Sequence, residues 1–330
     1  MIPVAIVTGF LGSGKTTLIS RILRDTAFAR TAVIVNEFGE IGLDHELIAS
    51  SDETLLALTT GCLCCAVRSD LVATLLDLQR RRDAGAIVYD RVLIETSGLA
   101  DPAPILHALM TDRDIVRHHA IDGIVTVVDA LHGEAALDRH AEARRQVALA
   151  DTLLLSKTDL TAPTETLRAR LVTLNEAMLQ SVRDVVPARL FTGTDMATRF
   201  STLPDPPARD PFARARHTDG IETFVVRRDR AMPALALTLL LEALAEHCGA
   251  RLLRLKGLVS IEEMPGQPAV IHGVQHVFAP PEFLDRWPSA DHTTRMVFIA
   301  QGVPRHFPAR LLDAIEHEVR EAMEQSAPPR

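Results

Sequence analysis

The sequence predicts an open, doubly wound α/β domain on a mainly parallel sheet, followed by a smaller α+β domain. Three observations carry that expectation. Short continuous apolar runs, "VAIVTG", "AVIVNEFG", "RVLIETSG", "GIVTVVDA", "TLLLSKTD" and "ARLFTG", alternate with amphipathic stretches, as strands buried on both faces and joined by helices do. The first run passes directly into a glycine-rich turn and a helical pattern. From about Thr194 to Asp219 the chain is rich in Pro, Asp and Arg without apolar periodicity. Residues 1–193, 194–219 and 220–330 are therefore expected to be an α/β domain, a linker and a C-terminal domain.

In such sheets ligands sit at the carboxyl ends of the strands, where each of the first five runs carries a polar or glycine-rich signature. The first is the most specific. "GFLGSGKTT", Gly9 to Thr17, satisfies G-x-x-x-x-G-K-[ST] between a strand and a helix, the context a phosphate-binding loop requires. Its glycines let backbone N–H groups point at phosphates, the helix N-terminus adds positive charge, and Lys15 reaches the terminal phosphates. Gly12, Ser13, Gly14, Lys15, Thr16 and Thr17 are the candidate nucleotide contacts, Thr16 as the Mg²⁺ ligand, and the expected fold is that of a P-loop NTPase. The plainer reading is a glycine-rich turn that happens to match.

"SKTD", Ser156 to Asp159, bears on the base. A carboxylate at Asp159 accepts from the N1–H and N2 of guanine while the Lys157 stem lies along the ring, which favours GTP. In "LIETSGLADP", 93–102, a strand ends at Glu95 and turns at Gly98. Glu95 suits the Mg²⁺ shell or an attacking water, and the Gly98 N–H suits the γ-phosphate. The same stretch also starts a helix well, with Asp101 as cap and Pro102 at the first position.

Composition narrows the classes further. The chain is 47% hydrophobic with a formal net charge of −8, against non-specific nucleic-acid binding, which needs clustered Lys and Arg. "QRRRD" at 79–83 reads as the solvated end of a helix beginning near Ser69. No apolar run reaches membrane-spanning length, and "MIPVAIVTGF" has no basic leader region, so a cytoplasmic protein is expected. Three of the four cysteines, Cys62, Cys64 and Cys65, crowd into "GCLCC", an arrangement unsuited to a disulfide framework and expected to stay reduced.

In order, "GFLGSGKTT", "VNEFGEIGLD", "GCLCC", "ETSGLADP" and "SKTD" resemble the CobW family of P-loop GTPases, regarded as metal chaperones or metal-insertion factors. The resemblance continues through "LRLKGLVS" (252–259) and "IHGVQHVF" (271–278) into that family's C-terminal domain. It implies phosphate and Mg²⁺ contacts at Gly14, Lys15, Thr16 and Thr17, a guanine-reading pair at Lys157 and Asp159, and a distinctive glutamate at Glu95. Glu37, Glu40 and Asp44 match the first switch, and Cys62, Cys64 and Cys65 the C-x-C-C metal motif. Lys15 and Glu95 are then the catalytic candidates. GTP and Mg²⁺ are the expected cofactors, Zn²⁺ or Co²⁺ the cargo, and a client metalloprotein or metal-cofactor biosynthesis enzyme the partner. Nucleotide-dependent homodimers are common among related GTPases.

Thiolate chemistry supports the metal motif independently, since soft ligands one residue apart in an extended segment converge on one ion. Adjacent Cys64 and Cys65 point to opposite sides if the segment stays extended, which favours Cys62 and Cys64 as ligands with Cys65 as helper. A further ligand could come from Glu37, His118 or His119. An incomplete ligand set suits a site that must release its metal, and GTP binding and hydrolysis would gate that release. The competing reading is a P-loop GTPase or kinase whose vicinal cysteines are redox-active and bind metal incidentally; a nucleotide-reading module without useful hydrolysis is a third. Two departures from the family pattern leave the client open: the linker has only His217 where many members carry a histidine run, and the first strand begins near Pro3, without the Cys- and Pro-containing segment of some zinc-delivering members.

In the C-terminal part, "IETFVVRRD" reads as a strand, "PALALTLLLEALAEHCG" as a helix ending at Gly249 with Cys248 on its apolar side, and 308–325 as a final helix. "VIHGVQHVF" reads as one strand, with His272 and His276 sharing a face about 13 Å apart at roughly 3.3 Å per residue.

Overall fold

The computed structural model describes residues 1–36, 55–57, 64–161, 165–191 and 220–326; Glu37, Glu40, Asp44, Cys62 and the whole expected linker, 194–219 with His217, lie outside them. Two compact units, Met1–Thr194 and Asp195–Arg330, divide the chain.

The first unit is a seven-stranded sheet of β1 (Ile2–Thr8), β2 (Thr31–Asn36), β3 (Leu55–Ala57), β4 (Arg91–Thr96), β5 (His119–Asp129), β6 (Thr152–Ser156) and β7 (Met178–Ser181), ordered β3-β2-β4-β1-β5-β6-β7. Every pairing is parallel. The β-branched runs explain the burial. Val7, Val33, Leu93 and Val125 on one face pack with Leu18, Ile19 and Ile22 of α1 (Lys15–Leu23). Ile6, Ile34, Ile94 and Ile124, alternate residues that point the other way, are equally buried. The crossovers contain α2 (Cys64–Asp83), α3 (Ala103–Thr111), the short α4 (Arg113–Val116), α5 (Gly133–Arg139), α6 (Ala141–Leu149) and α7 (Glu165–Leu174).

Two expectations change here. "ARLFTG" is not a strand: Pro187, whose fixed φ suits a first helical turn, opens the short helix α8 (Pro187–Leu190), and the edge strand is the four-residue β7 instead. The helix expected from Ser69 begins at Cys64, so the backbone of Cys64 and Cys65 is helical rather than extended. It closes with Arg80, Arg81 and Arg82 in its last turn, where cations complement the helix dipole.

The second unit is an antiparallel sheet, β11-β10-β9-β13-β8, formed by β8 (Ile221–Arg228), β9 (Leu252–Val259), β10 (Ala269–Val274), β11 (Val277–Phe278) and β13 (Thr294–Gln301), with β12 (Glu282–Phe283) paired to β10. Phe224, Leu255, Met296 and Phe298 on one sheet face form a core with Leu237, Leu240, Leu244 and the buried Cys248 of α9 (Ala234–Cys248) and Leu312 of α10 (Phe307–Ser326). "VIHGVQHVF" is a hairpin, not one strand: Val274 pairs with Val277 and Gln275 takes a φ of +55°, so His276 sits in a two-residue turn. Among the described residues no helix is long and apolar enough to cross a membrane.

One buried side chain ties the end of α7 to the end of α6. Asn175, 6% exposed, donates its Nδ2 to the carbonyls of Val147, Ala148 and Ala150 at 2.7, 3.2 and 2.9 Å, satisfying the end of α6. Asn175→Ala should destabilise the protein by about 1–3 kcal/mol, the cost of leaving buried acceptors unmet, read as a lower urea midpoint.

Candidate functional site

β1 lies between β4 and β5, with Val7 level with Glu95 and Thr8 level with Thr126. The loops leaving these three strands therefore meet. The turn after Thr8 carries Gly9, Gly12 and Gly14 at φ of +146°, +69° and +97°, values other residues rarely adopt. Gly9 has a second reason: a Cβ there would lie 2.3 Å from the Val127 carbonyl oxygen. Gly14 leads into α1, whose first turn has no acidic residue to offset its positive end. Lys15, 9% exposed, donates Nζ to the carbonyls of Gly9 at 3.0 Å and Phe10 at 3.4 Å, which places the ammonium over the loop. Gly12 and Thr17 are exposed, and Ser13 is buried, with its N–H on Phe10 O at 3.1 Å.

Thr16 donates its hydroxyl to Glu95 Oε1 at 2.9 Å, joining positions 79 apart in sequence, and Glu95 is 4% exposed. A hydroxyl and a carboxylate oxygen in one place are the hard donors Mg²⁺ takes, so these residues fit that ion. Past Glu95 the chain turns at Gly98, where a Cβ would lie 2.7 Å from Leu11 N. The turn is thus pressed onto the phosphate loop with no room for a side chain. Asp101 Oδ1 accepts from Ala103 N–H at 2.9 Å at the start of α3.

"SKTD" joins the same edge. Ser156 donates to Ser13 O at 2.6 Å. Lys157 is left-handed, φ +56°, a conformation that costs a non-glycine residue about 1 kcal/mol. Its Nζ donates to Asp129 Oδ2 at 2.8 Å. Asp129, 7% exposed, also accepts from Leu131 N–H at 2.7 Å and lies 3.1 Å from His132 Nδ1. Burial alone would raise its carboxyl, but the hydrogen bonds from Lys157, Leu131 and His132 outweigh it and hold the group below its ordinary 3.8. Asp159 Oδ2 pairs with Arg183 Nη2 at 2.7 Å in the open.

The structure does not bring His118 or His119 to this edge. His119 begins β5, at the amino end of the parallel strands, and His118 lines a cavity of about 330 Å³ with Gln79, Arg82 and Asp83 of the last turns of α2. At about 1.5 Å per residue that end of α2 lies far from Cys64 and Cys65, which open the helix. Burial pushes the His119 imidazole below its ordinary value. Among the described residues no group of three or more His, Cys, Asp or Glu side chains is arranged to hold a metal ion. Sequence reasoning passed over Asp129 and Gln146. Asp129 closes an apolar run just as Glu95 does, and Gln146 is the polar residue inside "QVALA"; both signals were present.

Residues 3–183 match the CobW/HypB/UreG nucleotide-binding domain, and residues 221–316 match the family described as "Cobalamin synthesis protein cobW C-terminal domain". The chain is similar to the zinc chaperone YjiA of Escherichia coli (strain K12), 34% identical over 306 residues that cover 92% of this chain and 95% of that protein. It is also similar to the zinc chaperone CobW of Sinorhizobium sp, 32% identical over 308 residues covering 81% and 83%. A crystal structure of Zn(II)-bound YjiA GTPase from E. coli matches with a TM-score of 0.74 at 26% identity, over 95% of this chain and 98% of that one. The P-loop fold, the antiparallel C-terminal domain and these matches along nearly the whole sequence place the chain in the CobW family of P-loop GTPases.

Proposed function

We propose that this GTPase is a metallochaperone that takes up a transition metal, Zn²⁺ or Co²⁺, through Cys62, Cys64 and Cys65 with Glu37 as a further ligand. It passes the ion to a client metalloprotein or metal-cofactor biosynthesis enzyme under GTP control. The carrying observation is the sheet order. β2 ends at Asn36, level with Thr96 of β4, so the chain that continues into Glu37 leaves the sheet beside Glu95. β3 is the next strand out, and the chain after it enters α2 at Cys64. The strands that precede the two segments, β2 and β3, thus both end at the edge that holds the phosphate loop. Two zinc chaperones among the relatives support zinc as the first cargo to test, and ligand softness supports the thiolates. Reduced cysteines require a reducing compartment such as the cytoplasm.

In this reading the amides of Gly12 to Thr17 and the Lys15 ammonium hold the phosphates, Thr16 and Glu95 hold Mg²⁺, and the Gly98 N–H meets the γ-phosphate. Mg²⁺ supplies neutralisation of the charge that develops on the phosphate oxygens. Asp159 exchanges Arg183 for the guanine edge, a small cost for a solvent-exposed pair. Ordering of the segment behind Asn36 by GTP then completes the metal site, and hydrolysis relaxes it.

Anaerobic Co²⁺ titration of the reduced protein, with Mg²⁺ and either a slowly hydrolysed GTP analogue or GDP, tests the coupling. A one-to-one thiolate-to-cobalt absorbance about tenfold or more tighter with the analogue, within the usual range of allosteric coupling, and lost in Cys64→Ala, is the expected result. A signal indifferent to nucleotide would sink the proposal; reversible two-electron thiol oxidation without stoichiometric metal would favour redox chemistry. Asp159→Asn should weaken GTP binding about tenfold or more and relax the preference over ATP. Asp129, whose folded value lies below 3.8, stabilises the fold above that pH and loses its contribution as pH falls through the lower folded value. Asp129→Asn should therefore cost about 1–2 kcal/mol at neutral pH, with the gap to wild type narrowing below about pH 4, measured by urea unfolding across pH.

A further inference from the structure

We propose that Gln146 is a positioning residue of the GTPase site: it fixes the Ser97–Asp101 loop against the phosphate loop and so sets how sharply the protein distinguishes GTP from GDP. The inference rests on reading Gly98 as the γ-phosphate contact.

Gln146 is fully buried on α6, remote in sequence from both nucleotide loops. Its Nε2 donates to Gly98 O at 3.2 Å and to Ala100 O at 2.9 Å, bracketing the turn across Leu99. Both partners are carbonyl oxygens, so only the amide nitrogen can face them. The Gln146 backbone is anchored in turn, its carbonyl accepting from the Thr126 hydroxyl at 2.8 Å. Thr126 stands level with Thr8, the last residue before the phosphate loop, and Thr8 accepts from the Thr96 hydroxyl at 2.7 Å. A row of buried threonines across β4, β1 and β5 thereby sets the height of α6 over the strand ends.

The rest of α6 braces the same two loops. The His140 ring, just ahead of the helix, packs at a tilt with its centroid 4.5 Å from that of Phe10 of the phosphate loop, and Arg145 reaches Asp101 at 3.4 Å. Gln146 also lines, with Phe10, Leu11 and Ser13, a small cavity of about 30 Å³. Gln146 therefore holds the loop that would report the last phosphate and shares a cavity with the loop that holds the phosphates. The carbonyls of Gly98 and Ala100 share their peptide planes with the N–H groups of Leu99 and Asp101, so Gln146 fixes those planes directly and restricts the Gly98 N–H one peptide unit back. A γ-phosphate then meets a prearranged donor rather than one it must order.

The test is Gln146→Met, matched in volume and lacking the donor, with affinities for a GTP analogue and GDP measured beside steady-state GTP hydrolysis. The ratio of analogue to GDP affinity should fall about tenfold, as expected for two lost hydrogen bonds, with GDP affinity held within about twofold. KM for GTP should rise in step with the lost analogue affinity, because the interaction is made to bound GTP itself and not only in the transition state. An unchanged ratio, or equal loss of both affinities, would mark Gln146 as structural only and overturn the inference. Wild type supplies an independent reading that holds if the variant does not fold: by ¹⁵N NMR the Gln146 amide protons should exchange more slowly with the analogue than with GDP, and equal rates overturn the inference. A wild type that fails to distinguish analogue from GDP overturns the Gly98 reading itself, whereas a discriminating wild type matched by Gln146→Met removes only Gln146.

Discussion

The candidate site depends on one constraint, the placement of β1 between β4 and β5 in a wholly parallel sheet. Parallel strands need crossovers that return each chain to the same end, so the segments after Thr8, Thr96 and Asp129 are delivered side by side without reference to any ligand. That proximity leaves no room for side chains at two points. Gly9 passes under the Val127 carbonyl, and Gly98 passes against Leu11. Thr16 and Glu95 meet for the same reason, the residue after the phosphate-loop lysine reaching the end of β4.

Toward that edge the strand residues change from apolar to polar while remaining buried. Ile6 and Ile94 give way to Thr8 and Thr96, and Glu95, Asp129 and Lys15 are all under 10% exposed. Burying such groups is costly unless each is paired. Here Lys15 lies on loop carbonyls, Glu95 accepts from Thr16 and Asp129 from Lys157. Charges buried this way interact more strongly with a polyanion and its metal than exposed ones would, because solvent screens them less.

Much of this could be read from the sequence, because the signals are local. A strand running into glycines and Lys15, a strand closing on Glu95 and another on "SKTD" announce both element type and position. Legibility fell where tertiary context decides. The four residues of β7 carry too little periodicity to register, while "ARLF" looked like a strand until Pro187 set its first φ. Gln275 takes positive φ in a turn that glycine or asparagine usually signals, which hid the hairpin between His272 and His276. Spacing alone also left His118 and His119 as candidates near the cysteines; only the strand direction places them at the far end of the sheet. Gln146 was hidden differently, since its partners are backbone carbonyls 46 to 48 positions away and no side-chain pattern records them.

The two ends of the proposed nucleotide site differ in stiffness. At the base end Lys157 is held in a left-handed conformation by an ionic hydrogen bond to a buried carboxylate that has two further partners. Charge-assisted bonds of that kind contribute about 1.5–3 kcal/mol each, enough to hold the geometry whatever phosphate is bound. At the phosphate end the loop around Gly98 is held by neutral hydrogen bonds from Gln146, each contributing about 1 kcal/mol, and by a long, half-exposed Arg145–Asp101 pair. Contacts of that size are comparable to what one γ-phosphate can add or withdraw. On the proposed assignment, the base end keeps its geometry in every nucleotide state, and the loop beside Glu95, with the β2 end that pairs with it, is the part that would follow hydrolysis. The metal motif is proposed to branch from that softer side, where a change of nucleotide has the most leverage on its ligands.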